Sequence, residues 1–157
     1  MNRVIIGVES TAHTFSFGLV TLAGIPRKSY SALYRPEEGG IHPREAADHH
    51  SVLSGQLINK LLKSEKIDSS QVEAIAYSQG PGLGPCLRIG ANVSRALADH
   101  WQVPLLGVNH CVAHIEIGRN QTGCKDPVLL YVSGGNTQVI ARAGDRYQVL
   151  GLSLIHI

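Results

Sequence analysis

The sequence predicts an α/β fold: one lobe ordered β-β-β-α-β-α-β-α, followed by the first hairpins of a second lobe. Three observations carry this. Three strand-like runs, joined by short polar turns, open the chain. From residue 44 the hydrophobic period switches to helical and then alternates with short apolar runs. At residue 128 the opening strand pattern starts again.

Taken in order, residues 4–8 (VIIGV) are a compact β-branched run suited to a central strand. Residues 11–14 make a polar turn, residues 15–21 alternate as a second strand, and 27–34 alternate weakly as a third. A loop with Pro36, Gly39, Gly40 and Pro43 precedes a helix over 44–63, where Ala46, His50, Leu53, Leu57 and Leu61 follow helical spacing. Val52, Ile58 and Leu62 widen that stripe. Asp68, Ser69 and Ser70 mark a turn, and 72–77 reads as a buried strand. The segment SQGPGLGPCLRIG (78–90) leads into a second helix with a small or apolar face of Leu87, Ala91, Ser94 and Ala98. Residues 104–108 form a fifth strand, and Asn109 is suited to cap a third helix. Beyond a loop at 123–127, residues 128–132, 137–142 and 147–150 resume a strand meander.

Each lobe opens with a strand and a small-polar turn, GVESTAHT (7–14) in the first and YVSGGNTQ (131–138) in the second. That is the layout of the actin, Hsp70 and sugar-kinase ATPases, built on ribonuclease H-like lobes, in which two such hairpins grip a nucleotide's phosphates. The expected organisation is a first lobe over 1–126 bearing the histidine pair described next, the start of a second over 127–151, and an atypical tail at 152–157. The tail reads as foreign or truncated sequence. Val128, Leu130, Val132, Val139 and Val149 are then expected to lack a covering layer, leaving an apolar sheet face prone to association.

His110 and His114, in NHCVAH, are four residues apart. On a helix that spacing puts both imidazoles on one face, about 5–6 Å apart at Cβ, within reach of one cation. The plain alternative is a buried pair bonded to carbonyls or a helix cap. A zinc-protease motif needs Glu directly after the first His as general base; here the residue is Cys111, and Glu116 lies beyond the second His. Gly134-Gly135 forms a tight turn whose backbone N–H groups can approach a phosphate. The 78–90 segment lacks the Gly-Lys-Ser/Thr ending of a phosphate-binding P-loop, since Pro85-Cys86 follows Gly84, and it does not fit dinucleotide spacing. It stands as either a flexible strand-to-helix turn or a cleft lining. In HPREAADHH (42–50), Arg44, His49 and His50 are either a solvated helix start or the lining of a substrate entrance.

With 157 residues, 43% hydrophobic and 17% charged, the chain is of globular composition and long enough for one domain. A net charge of +2 does not argue for nucleic acid, so RNA contact would rest on a local patch. Seven of the eight histidines fall within residues 13–114. Cys86, Cys111 and Cys124 lack metal-finger spacing and read as reduced thiols of a cytoplasmic protein. Nothing at the start suggests export, and no apolar stretch approaches the roughly 20 residues that cross a bilayer.

GGIHPREAADHH, SQGPGLGPCLR, VNHCVAHIEIGR and PVLLYVSGGNTQVI, in this order, resemble the tRNA threonylcarbamoyladenosine synthases, called TsaD in bacteria and the catalytic subunit of the KEOPS complex in archaea and eukaryotes. The likeness is to the archaeal form and runs from residue 4 to about 151. It implies a transferase moving threonylcarbamoyl from threonylcarbamoyl-AMP to the exocyclic nitrogen of the tRNA adenosine beside the anticodon. It implies one divalent metal, iron or zinc, on His110 and His114, with Tyr131 as third ligand or near neighbour. Tyr131, Val132, Ser133, Gly134, Gly135 and Asn136 would bind the adenylate or its acyl phosphate. Implied partners are tRNA, a small RIO-type kinase and a small dimer-forming subunit, the last on helices 44–63 and 86–100 through Leu57, Ile58, Leu61 and Leu97.

The departures are at the end. The family's further metal-binding Asp and adenosine pocket have no counterpart here, and its Gly-Glu-Thr-Leu-Asp-Ile type stretch is replaced by GLSLIHI (151–157). Two functions from different classes follow: the N-terminal half of the tRNA-modifying enzyme, inactive alone, or a non-catalytic lobe that binds partners of a tRNA-modification complex.

Overall fold

The computed structural model describes residues 3–133, 136–144 and 146–153. Every predicted strand and helix is present, in the predicted order. The chain divides into two compact units, one ending at His110 and the other beginning at Cys111.

In the first unit, β1 (Val4–Glu9), β2 (Thr14–Thr21) and β3 (Pro26–Leu33) form an antiparallel meander. β4 (Val72–Gly80) then adds parallel to β1, and β5 (Leu105–Asn109) parallel to β4. The order β3-β2-β1-β4-β5 is the mixed sheet expected of a ribonuclease H-like lobe. Two helices supply the crossovers that parallel pairing needs. α1 (Pro43–Glu65) starts with a proline in its first turn, where the missing N–H costs nothing, and ends at Lys66 in the left-handed conformation. α2 (Gly84–Trp101) ends the same way at Gln102.

Alternation in β1 and β2 sends Val4, Ile6, Val8, Phe15, Phe17 and Leu19 to one face. There they pack with Ile58 and Leu61 of α1, Ala98 of α2, and Val72 and Ile75 of β4. Two helix faces differ from expectation. Val52 is 71% exposed, because the helical repeat puts it on the side of α1 opposite the stripe that Ala46, His50, Ile58 and Leu61 bury. The buried face of α2 is Cys86, Gly90, Ser94 and Ala98, a strict four-residue repeat, with Leu87 and Ala91 only half-buried beside it. The partner face expected from Leu57, Ile58, Leu61 and Leu97 is corrected as well. Ile58 and Leu61 are core residues, and Leu57 and Leu97 pack against that same core.

In the second unit, β6 (Val128–Ser133), β7 (Asn136–Ala143) and β8 (Arg146–Ser153) form an antiparallel meander. α3 (His110–Thr122), which opens on the last residue of the first unit, brings Cys111 and Ile115 against Ile140, Leu129, Tyr131 and Tyr147. Val128, Leu130 and Val132, on the opposite side of β6, and Val149, Leu150 and Leu152 of β8 are more than half exposed, while Val139, expected to be bare, is half-buried. β8 runs past its expected end at residue 150, pairing Gly151 with Val139 and Leu152 with Gln138. The Gly134-Gly135 turn and residues 154–157 lie outside the described residues.

Candidate functional site

The turn after β1 is held from three directions. Ser10 is buried, and its N–H donates to Ser78 Oγ at 3.3 Å, whose hydroxyl in turn donates to the Val8 carbonyl. Leu83 N–H donates to the Thr11 carbonyl at 2.7 Å. A Cβ on Gly82 would come within 2.5 Å of that same carbonyl oxygen, and one on Gly90 within 1.9 Å of Ser10 Oγ. The glycine-rich segment is therefore a backbone buttress for the first turn, and its glycines permit an approach that any side chain would block.

From the other side comes α1. His50 is fully buried, and its Nε2–H donates to the Ala12 carbonyl at 2.8 Å. Its Nδ1 then accepts from His49 Nδ1, at 3.2 Å. Burial pushes the His50 ring below its ordinary value, and the charges of His49 and His13 add to this against the Ala12 bond and Glu9. His50 is thus neither a solvated helix start nor an entrance residue; it ties α1 to the turn. Arg44 is exposed and His49 half-buried.

Glu9 closes β1 at the head of this turn. Its Oε1 accepts from Thr11 N at 2.6 Å, and its Oε2 lies 3.0 Å from His110 Nδ1. Burial raises the carboxyl, but the bonds from His110 and from Thr11, with the His110 charge, outweigh it and hold the carboxyl at about 2. His110 stands where β5 gives way to α3, and its side chain is only 13% exposed. Glu9, a carboxylate, is thus a partner of His110. Sequence reasoning passed over Glu9. The available signal was one carboxylate ending an otherwise apolar strand, followed at once by a small-polar turn.

His114 lies one turn further along α3, on the same helix face as His110 by the helical repeat. In the second unit its ring is 5.6 Å from that of Tyr131, centroid to centroid. Tyr131 is half-buried and faces the α3 side of β6, whereas Val132 is exposed on the other. The side chains of Ser133 and Asn136, and all of Gly134 and Gly135, are outside the described residues. Glu116 is committed elsewhere: its carboxylate binds Arg119 at 2.9 Å and the Tyr147 hydroxyl. Those contacts, the Tyr147 bond foremost, lower its carboxyl. Among the described residues no three or more His, Cys, Asp and Glu side chains are grouped to hold a metal. No described helix is long and apolar enough to cross a membrane.

The mixed sheet, its buttressed first turn and the histidines of α3 define a ribonuclease H-like lobe with a donor-bearing helix. The family model for tRNA N6-adenosine threonylcarbamoyltransferase (TsaD) matches residues 27–156, and the chain belongs to that family. The tRNA N6-adenosine threonylcarbamoyltransferase of Archaeoglobus fulgidus is 50% identical over 151 residues, covering 96% of this chain and 46% of that protein. A probable bifunctional tRNA threonylcarbamoyladenosine biosynthesis protein of Methanosarcina mazei is 51% identical over 153 residues, 28% of its length. The chain thus spans about half the length, or less, of these relatives. Among solved structures, YeaZ from Pseudomonas aeruginosa aligns over 97% of this chain and 67% of its own, with a TM-score of 0.66. At 16% identity that likeness speaks for the fold alone.

Proposed function

We propose that this chain is the N-terminal half of a tRNA N6-adenosine threonylcarbamoyltransferase that uses threonylcarbamoyl-AMP. The observation that carries the reading is the family match over residues 27–156, which takes in α1, α2, α3 and β4 to β8. In the reaction, the adenine exocyclic nitrogen bonds to the carbamoyl carbon and the carbon–oxygen bond to the phosphate breaks. AMP leaves with the electron pair, and the nitrogen gives up a proton.

His110, His114 and Tyr131 would hold one divalent cation. Two imidazoles and a phenol are donors suited to iron or zinc, and the pairing of the His114 and Tyr131 rings supports their working together. The chemistry such a cation supplies is Lewis acidity at a substrate oxygen. The 131–136 turn (Tyr131, Val132, Ser133, Gly134, Gly135, Asn136) would receive the adenylate phosphate on its backbone N–H groups. The 7–14 turn would be the first lobe's own small-polar turn, in an organisation of 1–126, 127–151 and tail 152–157.

Partners in this reading are tRNA and KEOPS-type subunits, a small RIO-type kinase and a small dimer-forming subunit, in the cytoplasm. The bifunctional name of the Methanosarcina relative supports a second activity working beside this one. The dimer-forming subunit would meet the exposed sides of α1 and α2, around Val52, Gln56, Arg88 and Asn92, since the inward sides are core. The test is incubation with threonylcarbamoyl-AMP and tRNA, followed by nucleoside mass spectrometry. This chain continued by the second half of the Archaeoglobus relative is expected to form threonylcarbamoyladenosine, and the chain by itself is not. Absence of product from the continued chain would overturn the assignment.

A further inference from the structure

Glu9 and His110 are 101 positions apart in sequence, yet the Glu9 carboxylate meets the His110 ring at 3.0 Å. Glu9 is not free to wander. Its second oxygen is held by Thr11 N at 2.6 Å, and Thr11 is itself pinned by the Leu83 N–H and by the close approach of Gly82. The carboxylate is thus fixed in place by the turn, and the ring is presented to it by the junction of β5 and α3. A carboxylate can only accept, so the nitrogen facing it must carry the proton. A neutral imidazole with Nδ1 protonated has its lone pair on Nε2. A carboxylate behind a ligating histidine fixes tautomer and ring orientation in this way and raises the basicity of the ligating nitrogen. A tie between turn and helix needs no charge, and a part-buried carboxylate is a costly way to make one.

We propose that Glu9 is the positioning residue of the metal site: its carboxylate locks His110 in the Nδ1–H tautomer and sets the ring for ligation through Nε2. The inference rests on the reading of His110 as a ligand. Glu9 touches neither substrate nor cation in this role. It acts through His110.

The experiment uses the chain continued by the second half of the Archaeoglobus relative, stripped of metal, with Glu9→Gln, Glu9→Ala and His110→Ala variants of matched thermal unfolding. Ring nitrogen shifts from NMR without metal report the His110 tautomer, and titration with zinc reports affinity. Unsubstituted protein is expected to show the Nδ1–H form. Glu9→Ala should move His110 toward the Nε2–H form and weaken zinc binding about 10–100-fold. Glu9→Gln, whose amide oxygen still accepts from Nδ1–H, should keep the tautomer and lose less affinity. If His110→Ala abolishes zinc binding while Glu9→Ala leaves tautomer and affinity unchanged, the positioning role is overturned and the metal reading survives. If His110→Ala leaves zinc binding intact, the ligand reading fails and this inference falls with it.

Discussion

β2 and β6 read alike in sequence and end differently. Both alternate, yet Phe15, Phe17 and Leu19 of β2 are at most 3% exposed, while Val128, Leu130 and Val132 of β6 are 56–67% exposed. The first unit lays α1 and α2 over one face of a five-stranded sheet; the second has α3 against one face of three strands and no described element on the other. Alternation tells which residues share a face. It does not tell which face is covered, because covering comes from elements distant in sequence.

The strongest way to break this comparison is a charge in the covered core. Leu61→Asp should abolish cooperative unfolding of the first unit, since an unpaired carboxylate there costs about 4 kcal/mol or more. Circular dichroism melting reads this. A variant that melted normally would show that Leu61 is not core. Gly82→Ala comes next, at about 1–3 kcal/mol, because its methyl group would be forced against the Thr11 carbonyl and the turn must shift. The shift should appear in the amide resonances of residues 9–12; unchanged spectra would count against the buttress.

A smaller effect is set by pH. Burial lowers the His50 ring from its ordinary 6.5, so the unfolded chain takes up a proton before the folded one does. Stability is therefore full above about pH 6.5 and declines as pH falls, by no more than about 1.4 kcal/mol per unit for one proton. His50→Gln should flatten that decline between pH 7 and 5 in urea unfolding. Glu9 acts in a separate window. Its carboxyl, held at about 2 against an ordinary 4.5, contributes stability above pH 4.5 that is lost as pH falls toward 2. The smallest expected change is at the bare face of the second unit. Leu130→Ser should alter stability by about 0.5 kcal/mol or less while raising the concentration at which light scattering detects association.

How far the sequence could be read follows the same division. Strands and helices were legible because their periods are local, as in residues 4–8 and 44–63. The inward side of α2 is legible at Ser94 and Ala98 and off by one position at Leu87 and Ala91, which are no less apolar than Cys86 and Gly90; the packing of Gly90 against Ser10 sets the inward side there. Leu61 was read as surface although it is core, because an amphipathic stripe does not say what it faces. His110 and His114 were legible as a pair. Glu9 was not, since what makes it part of the site is a contact across the sheet between β1 and the end of β5, which only the β1-β4-β5 order brings about.

The proposed function turns on whether the α3 histidines bind metal. Its most direct test is metal content, by plasma emission, of the chain continued by the second half of the Archaeoglobus relative, with and without His110→Ala together with His114→Ala. Close to one equivalent of iron or zinc is expected in the unsubstituted protein and a fall to background in the double variant, with folding retained. Metal content in the double variant equal to that of the unsubstituted protein would contradict it.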